Sequence, residues 1–411
     1  MMNINIKWLL VGCFLALSVL MACNKNGDTG APPIIEKITL LDSTLKDSSF
    51  TKALPGTLLL VTGQNLNGML KVSFNDQAAY FNPAYSTSRH LIITIPSNTP
   101  TEITNPQVSN KIKFITSHGQ LEYSFIIQVP PPSIATISNE NALAGDSVII
   151  NGSSLFLIEK LLLPGNRQIT DFTTNPAGTR IGFVMPAIGD DTGRITIIAK
   201  WGSTMSDGPM NDHQSGDLIS NLTNDGESGE LPVFNWAWWG AVRSNDPAQF
   251  PGTRGSYLQS IFGGLGANDP AWWTANRAGN FTDVKMFGPE VPNMEASKYA
   301  LKFEINTKEV WTAGVLILRF NDKYCYRYMP WQAAVNKQFD TRNQWQTVTV
   351  PLSQFKLTDN GIEGTGASAL IMADVLKPDG SVAFGYHFIT EADPVDVFNA
   401  AFDNFRIVKI K

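Results

Sequence analysis

The chain has 411 residues, 43% of them hydrophobic, enough for two or three packed domains at about 150 residues each. Only 16% are charged, the net charge is -5 and no basic block stands out, which excludes phosphate-driven nucleic-acid binding. The four histidines, His90, His118, His213 and His387, are scattered without ligand spacing, so no catalytic metal centre is expected.

The chain opens on an export signal. Lys7 precedes an apolar run, Trp8 to Met21, that is too short for a comfortable membrane span. The run ends Leu20-Met21-Ala22-Cys23, which resembles the lipobox of bacterial lipoprotein signal peptides, and Asn24-Lys25-Asn26-Gly27-Asp28 follows as a flexible tether. That resemblance implies removal of residues 1–22 and acylation of Cys23, with residues 23–31 as the tether to the membrane. Cys13 leaves with the signal, so Cys325 has no partner for an intramolecular disulfide.

Short strands then follow one another. Leu58 to Val61 is closed by Gly63, Leu91 to Ile95 by Pro96, and Ile112 to Ile115 and Tyr123 to Val129 complete a set typical of a β-sandwich. The pattern repeats. Pro131-Pro132-Ser133-Ile134 echoes Pro32-Pro33-Ile34-Ile35, and the stretch Gly145 to Gly152 echoes Gly56 to Gly63, with Leu155 in the place of Leu66. These residues resemble the immunoglobulin-like IPT/TIG fold shared by plexins and transcription factors. The resemblance implies two tandem units, at 32–130 and 131–205, acting as spacers. Pro130-Pro131-Pro132 between them predicts a stiff, extended link.

From Ser203 to Glu230, Asp, Asn, Ser and Gly dominate and predict a linker or a loop-rich entry to a third domain at 206–411. Beyond it, Tyr299, Leu301, Phe303 and Ile305 alternate with Ala300, Lys302, Glu304 and Asn306, the pattern of a strand with one apolar and one wet face. Tyr324, Tyr326 and Tyr328 share one face of a later strand, lining the sandwich or filling it, with Cys325 and Arg327 opposite. No amphipathic helix is expected past the signal. The fold class is all-β: two tandem immunoglobulin-like sandwiches followed by a larger jelly-roll sandwich.

Tryptophan is concentrated in this third domain. Asn235-Trp236-Ala237-Trp238-Trp239-Gly240 and Asp269-Pro270-Ala271-Trp272-Trp273 place five indoles among turn residues. Flat, rigid, half-wet rings suit a ligand that presents alternating C–H and hydroxyl faces, as a sugar ring does. Coplanar indoles would favour a flat β-linked glycan. Trp239, Trp272 and Trp273 are the leading candidates. Alternation places Trp236 and Trp238 on the face opposite Trp239, so one of those faces is core. Trp331 and Trp311 are exposure candidates, and Trp345, followed by a regular strand, reads as core. Arg243, Asn245, Asn276 and Arg277 are near enough in sequence to add polar contacts.

The whole organisation resembles the B-type surface glycan-binding proteins of Bacteroidota polysaccharide-utilisation systems. The resemblance implies a non-catalytic lipoprotein, held in the outer membrane and facing the exterior. It would present xyloglucan, another β-glucan or β-mannan to an outer-membrane porter and its lipoprotein lid. The platform it implies is Trp239 with Trp272 and Trp273. Jelly-roll modules also often carry a structural calcium, for which Asp403 or the stretch from Asp207 to Asp225 could supply oxygens. No other cofactor is expected. Two other functions compete: a sandwich glycoside hydrolase, needing a carboxylate pair from Asp269, Asp283, Glu290 and Glu295, and an adhesin that uses its tryptophans against protein.

Overall fold

A computed structural model describes residues 30–41, 49–212, 218–220, 222, 240–252, 255–285 and 287–410. Cys23, Trp236, Trp238 and Trp239 lie outside the described residues. The chain divides between Pro130 and Pro131, inside the triproline, into two compact units.

The first unit is a sandwich. A three-stranded sheet of Ile34–Leu40, Leu58–Gln64 and His90–Thr94 faces a four-stranded one of Gln77–Ala79, Met69–Phe74, Lys111–Thr116 and Gly119–Ser124. Val61, Leu66, Phe74, Ile93 and Phe114 fill the space between them.

The second unit begins with the repeated sandwich, two four-stranded sheets around Val148, Ile150, Leu155, Ile181 and Ile197. The sequence repeat has a structural cause in its glycines. A Cβ on Gly63 would fall 2.0 Å from the carbonyl oxygen of Ile34, and one on Gly152 would fall 1.9 Å from that of Ser133. In both copies the first strand slips register beside that glycine, between Ile35 and Lys37 and between Ile134 and Thr136. Only a residue without a side chain lets the bulged strand approach so closely. Met210 belongs to this core and its backbone bridges Gly193, so the sandwich continues past Ser203 into what composition predicts as linker.

The third sandwich sets a six-stranded sheet against a four-stranded one. The larger sheet runs Val242–Ser244, Tyr257–Leu265, Val395–Lys409, Tyr299–Thr307 and Gln346–Pro351, with Leu218–Ser220 also paired to Val395–Lys409. The smaller runs Ala278–Lys285, Ser381–Ile389, Val315–Phe320 and Tyr324–Tyr328. Phe303, Phe320, Phe384, Tyr386, Phe402 and Phe405 pack between them. Phe402 and Phe405 both point inward although strict alternation would separate them. A bulge, with Asn404 at φ 49°, inserts the extra residue that returns Phe405 to the core.

Alternation placed the tyrosines correctly and left their side open. Tyr324 and Tyr328 are buried in the core, Tyr326 packs against it, and Arg327 is half-buried on the other face. Trp345 is core as expected, in a cluster with Phe250, Tyr257 and Ala401, its indole N–H donating to the carbonyl of Pro251 at 2.9 Å. Trp311 is core too, 2% exposed, and so loses its place among the exposed candidates. One helical turn, Pro330–Ala333, is the only α-helix among the described residues.

One strand expectation is corrected. Tyr299–Thr307 is buried at every position, on both faces. Its polar face is covered by Glu140 of the second sandwich. The Glu140 carboxylate takes Lys302 on one oxygen and Arg406 Nη2 on the other at 2.9 Å. Arg406 also donates from both terminal nitrogens to Glu304, at 2.9 and 3.0 Å. Thr347 Oγ1 joins the two sides, accepting from the Glu140 N–H at 2.8 Å and donating to Glu304 at 2.9 Å. Burial alone would favour a neutral Arg406, but Glu304 and Glu140 outweigh it and hold the guanidinium pKa above its ordinary value. The second and third sandwiches therefore share one buried charge cluster.

Candidate functional site

The outer face of the four-stranded sheet carries a compact polar and aromatic group. Its positions follow from register. His387 lies opposite Ala278 on one side and Ile317 on the other, and Ile317 lies opposite Arg327. Next to this row Asn280, Gly385, Arg319 and Cys325 are aligned. A Cβ on Gly385 would meet Asn280 Oδ1 at 2.5 Å, so glycine is what lets Asn280 reach across to accept from Arg319 Nη2 at 3.3 Å.

Two loops build on this floor. The first, between Tyr257–Leu265 and Ala278–Lys285, delivers Trp272 and Trp273. The Trp272 ring lies 5.2 Å from the His387 ring at 33°, and the Arg319 guanidinium sits 5.2 Å from its centroid. The loop is tied down from within. Asp269 accepts from the Ala271 N–H at 2.8 Å and from Arg277 Nη2 at 3.0 Å, and its own N–H donates to Thr390 Oγ1 at 2.8 Å. Arg277 also donates to Thr274 Oγ1 at 2.7 Å. The Ala271 hydrogen bond and then Arg277 hold the Asp269 carboxyl below the usual carboxylate range. Ala275 and Asn276, both at positive φ, turn the chain back into the sheet.

The second loop brings Glu363 over the same face. Its carboxylate meets His387 Nε2 at 2.8 Å, and its backbone carbonyl accepts from Arg327 Nη1 at 3.2 Å. The hydrogen bond from His387 is the main cause that lowers the Glu363 pKa, against a burial penalty. Cys325 lies under this loop. Burial, and then the Glu363 charge, push its thiol up to about 12. We expect the folded protein, in a form that starts at Gly30, to resist thiol reagents at about pH 8 and to react only once unfolded. A colorimetric thiol assay with and without denaturant checks this.

Trp272 is half-buried and Trp273 is 50% exposed. The two rings stand edge to face, 5.9 Å apart at 80°. The expectation of coplanar neighbours fails for this pair, because consecutive side chains in a tight turn diverge. Together they form a corner with two apolar walls. Trp331 is half-buried at the other end of Val315–Phe320 from Arg319, packed on the core, with its N–H donating to Gly314 O at 3.0 Å. Arg277 is 3% exposed and anchors the loop, so it is no surface group awaiting a ligand. Arg243 is exposed on the edge of the other sheet, Asn245 is exposed beyond it, and Asn276 is half-exposed in the Trp272 loop.

Arg319, Glu363 and His387 escaped the sequence reading. The signal was there: Arg319 and His387 are polar residues inside otherwise apolar strands, at positions that alternate away from the core. Among the described residues, no group of three or more His, Cys, Asp or Glu is placed to hold a metal.

Residues 215–409 match the family model described as the surface glycan-binding protein B xyloglucan-binding domain. An IPT/TIG domain-containing protein of Bacteroides ovatus is 32% identical over 192 residues, which are 44% of this chain and 38% of that relative. The chain thus spans well under half the length of that curated relative. The surface glycan-binding protein PbSGBP-B from Prevotella bryantii has the same fold, with a TM-score of 0.69 at 23% identity over 92% of this chain and 99% of that one. An SGBP-B from a complex xyloglucan utilization locus in Bacteroides uniformis gives a TM-score of 0.51 at 19% identity over 92% and 99%. The third sandwich is therefore similar to the surface glycan-binding protein B xyloglucan-binding domain, and the chain that carries it shares the fold of surface glycan-binding proteins of the B type.

Proposed function

We propose that this protein captures a neutral β-linked polysaccharide, xyloglucan foremost, at the cell surface and does not cleave it. The observation that carries the reading is the exposed Trp272–Trp273 corner, standing on a polar floor inside a domain of this family. Each ring offers a π-face to sugar C–H groups, and Arg327, Glu363 and Asn280 offer hydrogen bonds to the hydroxyls at the rim. Trp239 is proposed as a third ring. Gly240, the residue after it, bridges Ala278, which neighbours His387 across the sheet. Trp236, Trp238 and Trp331 are proposed as outlying contacts. Cys23 would carry the lipid that holds the protein in the outer membrane, facing outward, beside a glycan porter and its lid.

Neutrality of the ligand rests on charge pairing around the corner. Arg277 is paired with Asp269, Arg319 with Asp322 and Arg327 with Glu391, while the Glu363 carboxylate is hydrogen-bonded to His387. Each of these arginines has a carboxylate partner, so none is set aside for a uronic acid. We expect xyloglucan, β-glucan or β-mannan in a native gel to retard the protein, and pectate or alginate not to. The Kd by calorimetry should change less than about twofold between low salt and 0.5 M salt. Strong salt dependence, or retardation by acidic polymers alone, contradicts the neutral assignment.

The absence of cleavage is supported by the state of Asp269, the acid nearest the rings in sequence. It is committed to Arg277 and a backbone N–H and held ionised, unsuited to act as a general acid. Release of reducing ends from the bound glycan would overturn this part of the reading.

A further inference from the structure

We propose that Arg319 and His387 are positioning residues for Trp272: they fix the plane of that indole and, through it, the right angle it makes with Trp273. The inference rests on the reading above, in which Trp272 meets the ligand.

The geometry is two contacts on one indole. His387 is 1% exposed and stands on the central part of the sheet, so its ring cannot tilt without disturbing the strands beside it. Its Nε2 is held by Glu363, which fixes rotation about the side-chain bonds. Arg319 is held by Asn280 and Asp322. Both groups rise from the same sheet face and meet Trp272 at 5.2 Å. The half-exposed indole thus rests on an imidazole and a guanidinium that are themselves clamped, with its remaining surface turned outward. A cation against an indole face is attracted by the ring quadrupole, and an imidazole tilted at 33° adds contact area. A tryptophan in a loop otherwise has several rotamers open to it, and ordering it on binding would weaken the affinity.

None of this needs Arg319 or His387 to touch sugar, and the test separates the two roles. The perpendicular Trp272–Trp273 pair should give an exciton couplet in circular dichroism, lost in Trp272→Phe and Trp273→Phe. We expect Arg319→Gln and His387→Ala to weaken that couplet without ligand present, and to raise the glycan Kd about tenfold. Arg319→Lys keeps the cation and His387→Phe keeps the ring, so each should restore much of the couplet. Melting curves of the Arg319 variants should match the parent, since Arg319 lies outside the core. A couplet unchanged in both Arg319→Gln and His387→Ala overturns the proposal, whatever the affinity does. If the parent binds no neutral glycan while the couplet responds as expected, the function reading fails and the positioning role stands.

Discussion

Trp272→Ala is expected to remove most of the glycan affinity, a loss of at least about 2 kcal/mol or roughly thirtyfold in Kd. The ring is one wall of the corner, and its removal also exposes the Arg319 and His387 edges it covers, leaving an uneven polar surface where the sugar face would lie. Trp273→Ala should cost less, because that ring is half-exposed and rests on Trp272 alone among the described aromatic contacts. Neither ring belongs to the core clusters, so thermal unfolding should hardly move. Trp331→Ala offers the contrast. That indole packs on the core and spends its N–H on Gly314, so its loss should lower the melting temperature more than the affinity. Calorimetric titration beside a melting curve for each variant separates the three cases. A Trp272→Ala protein that binds like the parent would refute the corner as the site.

The second large effect lies between the second and third sandwiches. Glu140→Ala leaves Lys302 and part of Arg406 without a counter-ion, both under 10% exposed. Breaking a buried ion pair from one side costs about 3–5 kcal/mol, because the surviving charge keeps its desolvation penalty. At about 2–4 °C per kcal/mol for a unit of this size, the melting temperature should fall by roughly 6–20 °C. Small-angle scattering should also show the two sandwiches loosening, since the Glu140 side chain is the charged group that ties them. Glu140→Gln keeps the shape and some hydrogen bonds and should lose less. An unchanged melting curve for Glu140→Ala would mean that this junction is carried by other contacts, such as the 2.7 Å hydrogen bond from the Thr347 N–H to the Ser138 carbonyl.

The junction also tells why spacer and binding domain are not independent here. The site proposed for the third sandwich is on the outer face of its four-stranded sheet, and the second sandwich covers the polar face of the six-stranded one. The two functions thus use opposite sides of the same domain.

How much of this was legible in the residues alone follows from range. The all-β class, the immunoglobulin-like repeat, the shared face of the three tyrosines and the core place of Trp345 depend on local alternation, turn chemistry and repeat length, which a linear chain displays. The proposal of Trp272 and Trp273 as site residues rests on the same kind of local signal, two indoles set among the turn residues Asp, Pro and Ala. The perpendicular setting of those rings, the pairing of Arg319 and His387 beneath them and the commitment of Arg277 to Asp269 join loops and strands far apart in the chain. The same holds for Lys302 and Glu304, which alternate like a wet face and are buried. Their burial required Glu140, an acid more than a hundred residues earlier, to arrive from another domain. Local pattern states which residues turn away from their own core; only the folded chain decides what, if anything, meets them there.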